Sequence, residues 1–284
     1  MKRVGLVCDL SFARHCMFKN YYYALSYLYN GVHIINTVDD LVGIELLFIV
    51  DDHYSEHKRI ITLPKFAAKC NERKIQVVVL GTERIFGTAF PWNEFNYSYL
   101  ANFNKLIHYT YDVDDCKRLG TNLLRLCMSR NFVMPVDVTK KLNKIIFVGS
   151  VVGPKETYKA RKQFIQDVQE EIDVDVFPPE MDTWQQYIHL IAKYRYVLCP
   201  LGNANALALR FYETLLVHSI PLQQVQSNTL EYYDEEAGFG DCIFYETPKE
   251  LASKLHKYPV QYSTNELWAE DTLRETLQKD GLLC

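Results

Sequence analysis

The fold of this chain is indicated most clearly by the stretch Cys199-Pro-Leu-Gly-Asn-Ala-Asn-Ala-Leu-Ala-Leu-Arg-Phe-Tyr-Glu-Thr-Leu-Leu-Val-His-Ser-Ile-Pro-Leu222. An apolar strand ends at Cys199, a loop of small residues follows, and an amphipathic helix then leads into a strand that begins at Ile220. This succession of strand, loop, helix and strand is typical of the βα units that build parallel sheets.

The same alternation of short apolar runs and longer amphipathic segments continues along the whole chain, so the sequence predicts an α/β fold. The predicted strands cover residues 3–8, 33–37, 45–50, 75–80, 106–109, 144–149, 174–177, 196–199, 220–224 and 242–245. The predicted helices cover residues 16–29, 63–72, 114–129, 156–171, 183–193, 207–218, 248–256 and 265–278.

The segment 133–143 interrupts this alternation with a proline and little periodicity, and it is interpreted as the crossing between two domains. The sequence predicts one Rossmann-like domain over residues 1–138 and a second over residues 139–284, with the last helix crossing back to the first. Because ligands of open α/β sheets bind at the carboxyl ends of the strands, the chemistry is expected in a cleft between two facing domains.

Charge, apolar content and cysteine spacing argue against several classes of protein. The 284 residues carry a formal net charge of −4, which disfavours nucleic-acid binding through bulk charge. The amino terminus has too few apolar residues for a signal-peptide core or a transmembrane segment, so a cytoplasmic protein is expected. The eight cysteines are scattered without a Cys-x-x-Cys pair, which favours reduced thiols in the core.

The residues that carry chemistry in the quoted stretch are Arg210 and Glu213. Their three-residue spacing puts both side chains on one face of a helix, close to its amino-terminal end, where backbone N–H groups favour anions. An arginine can bind phosphate through two hydrogen bonds, and a glutamate can accept two from ribose hydroxyls. The pair therefore predicts a site for a nucleoside diphosphate, against the alternative of an ordinary pair on a solvated helix face.

This stretch resembles the donor-binding signature of two-lobed (GT-B fold) glycosyltransferases, and most closely that of the exostosin-type family. The matching features are Cys199-Pro200, Gly202, Arg210-Phe211-Tyr212-Glu213-Thr214 and Ile220-Pro221-Leu222, whereas His218-Ser219 stands where relatives commonly have a glycine. The resemblance implies a UDP-sugar as donor substrate, with xylose or another pentose or hexose as the sugar. It also implies inversion of configuration at the anomeric carbon of the transferred sugar.

A second match precedes the first, at the end of the strand Ile146-Phe-Val-Gly-Ser150. In the family that this chain resembles, the corresponding strand, glycine turn and arginine flank the phosphates of the donor. Gly149 would let the backbone approach the ligand, and Ser150, Lys155 and Arg161 are the candidate diphosphate contacts.

In such enzymes the first domain, here residues 1–138, supplies the acceptor site and the general base for an inverting reaction, and the second domain, here residues 139–284, binds the nucleotide sugar. Asp9 and Asp52 follow predicted strands and are the candidates for the base. His15, which is near Asp9 in sequence, and Arg84, which follows another strand, are further polar residues expected near the cleft. Each has the alternative of a loop or helix-capping residue. Asp112-Val-Asp-Asp115 resembles a metal-binding Asp-x-Asp motif, but helix capping, by Asp114, is the preferred interpretation.

The sequence thus predicts a glycosyltransferase that moves a sugar from a UDP-sugar to a hydroxyl of a glycan or glycoprotein. Fixed arginines and a helix end would neutralise the leaving diphosphate, so neither a metal nor another cofactor is required. Two alternatives stay open. One is a transferase acting on hydroxymethylated DNA bases, which the acidic balance disfavours, and the other is a non-catalytic nucleotide- or sugar-binding module.

Overall fold

The structure is a computed structural model that describes residues 2–8, 16–51, 61–82, 85, 98–130, 137, 140–151, 156–178, 183–202, 204–233, 241–257 and 268–283. The chain forms two compact units. One consists of Met1–Phe132 with Ala269–Cys284, and the other of Val133–Trp268. Each unit is built around a parallel sheet of its own.

The first unit contains a six-stranded sheet with the order β2-β1-β3-β4-β5-β6. Its strands are β1 (Val4–Val7), β2 (His33–Ile34), β3 (Leu46–Asp51), β4 (Gln76–Gly81), β5 (Leu106–Thr110) and β6 (Asn122–Leu123). Its helices in the first part of the chain are α1 (Cys16–Leu28), α2 (Pro64–Glu72) and α3 (Val113–Leu119), with short 3-10 turns at Asp39–Leu41 and Ser98–Asn102. The apolar side chains of β3 and β4 are almost fully buried, as expected of central strands covered on both faces.

The second unit contains a five-stranded sheet with the order β11-β10-β9-β7-β8. Its strands are β7 (Leu142–Val148), β8 (Val174–Phe177), β9 (Tyr194–Cys199), β10 (Ile220–Gln224) and β11 (Ile243–Tyr245). Its helices are α4 (Glu156–Glu171), α5 (Trp184–Ile191), α6 (Leu209–Leu216) and α7 (Pro248–Lys257), with a 3-10 turn at Leu230–Tyr232. Two separate apolar clusters, one containing Phe147 and Leu198 and the other Ile146 and Val197, cover opposite faces of this sheet.

Both sheets share one topological feature, a reversal of strand order next to their first strand. Counted within its unit, each sheet reads 2-1-3-4-5, and the first has a sixth strand beyond these. In the second unit the reversal lies between β7 and β9, which pair in parallel. Ligands of doubly wound sheets bind outside the carboxyl ends of the strands at this point. The predicted α/β class, with two parallel sheets, is confirmed.

The last helix, α8 (Ala269–Lys279), belongs to the first unit, although the chain reaches it from the second. The buried Glu270 carboxylate accepts hydrogen bonds from the Ser129 hydroxyl and from the backbone N–H of Arg130, the latter at 3.1 Å. The Ala269 N–H donates to the Met128 carbonyl at 2.8 Å. These contacts tie the amino-terminal end of α8 to residues far from it in sequence.

Two details of the first unit correct the sequence-based expectations. The predicted helix 114–129 is wrong beyond Leu119, because Gly120 takes a left-handed conformation (φ 64°) that ends α3 and leads into β6. The residue that caps α3 is Asp112, whose side chain accepts from the Asp115 N–H at 2.9 Å, and Asp114 lies within the helix.

Three further findings on the described part of the chain concern membrane-spanning helices, metal-binding groups and cysteines. None of its helices has the length and apolar character needed to cross a bilayer. Its residues contain no group of three or more histidine, cysteine or acidic side chains with metal-binding geometry. Among its cysteines, Cys70, Cys116, Cys127 and Cys199 are buried free thiols, and Cys8 is buried as well.

Candidate functional site

Four of the residues predicted from sequence meet at the reversal point of the second sheet. Gly149 and Ser150 directly follow β7, Arg161 lies on α4, and Arg210 lies at the second position of α6. The helix α6 is reached from β9 through the small-residue loop that starts at Pro200. Because β7 and β9 are parallel neighbours, their carboxyl ends lie side by side at one edge of the sheet.

The Arg210 guanidinium lies against the end of β7. Its Cζ is 5.0 Å from the centroid of the Phe147 ring, within cation–π range. A Cβ atom added to Gly149 would stand 2.8 Å from Arg210 Nη2 and 2.9 Å from Phe147 Cζ, so only glycine leaves room for this approach. Among the described residues, the buried Nε of Arg210 has no hydrogen-bond partner.

Arg161 approaches the same point from α4. Its Nη1 donates to the Ser150 carbonyl at 3.2 Å, and its Cζ lies 5.7 Å from the centroid of the Tyr158 ring. Burial lowers the pKa of Arg161, and the positive charge of Arg210 lowers it further. Its buried Nε, like that of Arg210, has no partner within the described part of the chain. Two guanidinium groups are thus held close together with donors to spare, which suits an anion with several oxygens.

Glu213 is buried beneath this site, with 5% of its surface exposed. Its Oε1 accepts a hydrogen bond of 2.6 Å from the Trp184 indole N–H. Burial raises the pKa of Glu213, and the Trp184 bond and the charge of Arg210 oppose that rise. The Tyr187 hydroxyl is also buried close to this carboxylate, although among the described residues it has no hydrogen-bond partner at standard geometry.

A polar network holds the loop between β9 and α6. Gln224 Oε1 accepts from the Leu201 N–H at 3.1 Å, and Gln223 Oε1 accepts from the Ala208 N–H at 3.3 Å. Ala208 is the N-cap residue of α6, and it offers no side-chain cap to the helix. The backbone of the loop is therefore fixed from β10, while no N-cap side chain bonds to the first turn of α6.

The end of α6 explains the departure from glycine at position 218. His218 has a positive φ of 51°, which is the left-handed conformation that glycine adopts most easily. The His218 N–H bonds to the Leu215 carbonyl and the Ser219 N–H bonds to the Thr214 carbonyl, which together form a Schellman motif. The histidine therefore keeps the turn geometry of the signature without its usual residue.

Three predicted site residues, Asp9, Asp52 and Lys155, lie outside the described residues, as do His15 and Arg84. The residues that sequence reasoning missed are Trp184, Gln223 and Gln224. The two glutamines carry a recognisable signal, since they are polar side chains at the end of an otherwise apolar strand. Trp184 carries none, because its partner lies 29 positions further along the chain.

Comparisons with known proteins give structural similarity only. No family model matches the chain, and no curated protein matches it in sequence. One similar solved structure is that of an α1,3-fucosyltransferase with GDP-fucose, at 10% identity and a TM-score of 0.46, covering 90% of this chain and 78% of that one. Another is an α1,3-fucosyltransferase at 11% identity and a TM-score of 0.47, covering 98% of this chain and 88% of that one. The exostosin-type resemblance stays a prediction.

Proposed function

We propose that this protein is a glycosyltransferase that uses a nucleotide-sugar donor, with UDP-sugars as the first candidates. The observation that carries the proposal is the pair Arg161 and Arg210, held together at the reversal point of the second sheet with unpartnered Nε donors. A diphosphate offers several anionic oxygens to these donors, and its charge relieves the repulsion between the two guanidinium groups.

The arginines would act on the step in which the bond between the sugar and the diphosphate breaks. Negative charge then develops on the leaving phosphate oxygen, and preorganised cationic donors lower the energy of that state. The first turn of α6, without an N-cap side chain, adds backbone dipoles of the same sign. Gly149 contributes by leaving space for Arg210.

Glu213 is the proposed partner of the ribose. One of its oxygens is occupied by Trp184, and a carboxylate retains further lone pairs that can accept from the ribose hydroxyls. Ser150 is proposed as a further diphosphate contact. Lys155, which follows the strand β7 in sequence, is proposed as another.

The acceptor in this proposal is a hydroxyl of a glycan or glycoprotein, whose oxygen attacks the anomeric carbon of the donor sugar with inversion while the bond from that carbon to the diphosphate breaks. Asp9 and Asp52 are the proposed candidates for the base that removes the hydroxyl proton. They follow β1 and β3 in sequence, and these strands are parallel neighbours at the reversal point of the first sheet.

The test is calorimetric titration of UDP and of GDP into the parent protein and into Arg210→Ala and Arg161→Ala variants. Each variant should bind nucleoside diphosphate about tenfold to a hundredfold more weakly, because a charge-assisted hydrogen bond to the ligand is lost. The matched control is Arg195→Ala on β9, an arginine of the same unit that bonds to Asn143 and should leave affinity unchanged.

Turnover separates the enzyme from a binding module. Slow release of free sugar from a panel of UDP- and GDP-sugars, abolished by Arg210→Ala, is the expected result. Tight nucleotide binding without turnover for any donor and acceptor would favour the non-catalytic module. Equal affinity of the parent protein and both arginine variants would remove the main support for the proposal.

A further inference from the structure

Trp184 occupies a fixed position next to the candidate site. It is the first residue of α5, directly after Thr183, whose side chain caps that helix by accepting from the Gln186 N–H at 3.2 Å. The indole ring packs against the apolar cluster on one face of the second sheet, and its N–H points to Glu213 Oε1 at 2.6 Å. Cap, packing and hydrogen bond thus define the orientation of the indole.

The surroundings of Glu213 make this bond important for its charge. The titratable groups that face it are Arg210 on its own helix, Tyr187 on α5 and Cys199 on β9. Burial raises the pKa of Tyr187 well above its ordinary value and that of Cys199 to about 12, so both are neutral at physiological pH. Burial also favours the protonated form of Glu213, and the N–H donated by Trp184 favours the carboxylate.

We infer that Trp184 is a positioning residue for nucleotide recognition, because its indole N–H holds the Glu213 carboxylate in the orientation that accepts the ribose hydroxyls. This inference rests on the proposed function. Trp184 acts through Glu213 and has no contact of its own with the nucleotide in this scheme. The residue therefore determines how strongly the site distinguishes a ribonucleotide from its deoxy form.

The first experiment compares the affinities for UDP and 2′-deoxy-UDP in the parent protein and in a Trp184→Phe variant, over a range of pH. The two ligands carry the same diphosphate, so protonation of the diphosphate changes both affinities equally. The ratio of the two affinities therefore reports the contact with the ribose 2′-hydroxyl alone. In the parent protein UDP should bind about tenfold more tightly, the value of one hydrogen bond to a charged group. In Trp184→Phe the ratio should fall close to one at neutral pH.

The sign of the pH effect distinguishes positioning from packing. Loss of the indole donor removes a cause that lowers the pKa of Glu213, so the variant should need a higher pH than the parent to ionise this group. The rise of the ratio with pH should therefore begin at a higher pH in Trp184→Phe than in the parent protein, and the ratio should stay below that of the parent even at high pH, because the N–H that orients the carboxylate is absent. In a Glu213→Gln background the ratio should be low at every pH, and Trp184→Phe should change it no further.

A second measurement needs no change at Trp184. The chain has three tryptophans, so its ¹⁵N spectrum should contain three indole N–H resonances. One of them should shift in Glu213→Gln and should titrate in the parent protein with the same midpoint as the affinity ratio. If the Trp184 indole had only a structural role, its resonance would neither shift in Glu213→Gln nor titrate with the midpoint of the affinity ratio.

The outcomes separate this inference from the proposed function. If the parent protein binds UDP, and Arg210→Ala weakens that binding, but Trp184→Phe keeps the ratio and its pH profile, then the role of Trp184 is refuted alone. The role of Trp184 would also be refuted if no indole N–H resonance changed in Glu213→Gln. If neither UDP nor GDP binds the parent protein, the proposed function itself fails.

Discussion

Gly149→Ala tests the geometry of the site without removing a charge. The added methyl group would lie 2.8 Å from Arg210 Nη2 and 2.9 Å from Phe147 Cζ, whereas unstrained contacts begin at roughly 3.4 Å, so both contacts must lengthen by about half an ångström. Phe147 is fully buried in the core and yields little, so the methyl group itself shifts away from the ring and the more flexible guanidinium is displaced. The φ of Gly149 lies outside the left-handed region, and the effect is therefore steric.

We expect Gly149→Ala to weaken binding of UDP about tenfold to a hundredfold, the range expected for loss of one charge-assisted hydrogen bond. Its unfolding free energy should fall by about 1 to 3 kcal/mol, as for overpacking of a core position. Calorimetry and thermal melts measure the two effects. Gly202→Ala is the matched control, because nothing lies within 4 Å of its added methyl group.

The double variant Gly149→Ala with Arg210→Ala gives a stricter test. If Gly149→Ala acts by displacing Arg210, it should cost no further affinity in an Arg210→Ala background. Additive losses in the double variant, or unchanged affinity in Gly149→Ala, would refute the idea that the glycine serves the arginine.

Two further predictions concern stability, each with a neighbouring residue as control. Lys141 donates from Nζ to two carbonyls at helix carboxyl ends and to the Ser219 hydroxyl. Lys141→Met should therefore lower the free energy of unfolding by about 2 kcal/mol and the Tm by about 5 °C. The exposed Lys140→Met should leave the Tm unchanged. Glu270→Ala removes a buried carboxylate that accepts from the Ser129 hydroxyl and the Arg130 N–H, and it should cost about 2 to 4 kcal/mol in chemical denaturation. The exposed Glu275→Ala should stay within about 0.5 kcal/mol, and similar losses in the two variants would contradict a structural role for Glu270.

The parts of the fold that could be predicted from sequence are those whose boundaries are local. The helix Glu156–Glu171 and the strands Val174–Phe177 and Ile220–Gln224 have the predicted ends, because apolar periodicity and flanking polar residues mark them. The segment 120–129 could not be assigned in this way. It has apolar spacing compatible with a helix, but its Met128 carbonyl pairs with the distant Ala269 N–H, a contact that no local pattern encodes.

In the candidate site, too, the features that depend on local sequence could be predicted and the contacts between distant residues could not. Arg210, Glu213 and Gly149 could be proposed from sequence because each stands at a fixed offset from the end of a strand, where parallel sheets bind ligands. The contact between Arg210 and Gly149 and the bond between Trp184 and Glu213 depend on how separate helices pack, and no spacing reveals them.

The arrangement of opposite charges on α6 favours a site that binds an anionic ligand. Arg210 and Glu213 share one helix face, yet no ion pair joins them in the described part of the chain. The carboxylate bonds to Trp184 instead, and the guanidinium lies over Phe147 beside the like charge of Arg161. A structural pair would neutralise itself, since buried charges are costly unless they are paired. Here the indole takes the carboxylate and leaves two cationic donors for an anion from outside the chain, as a diphosphate-binding site requires.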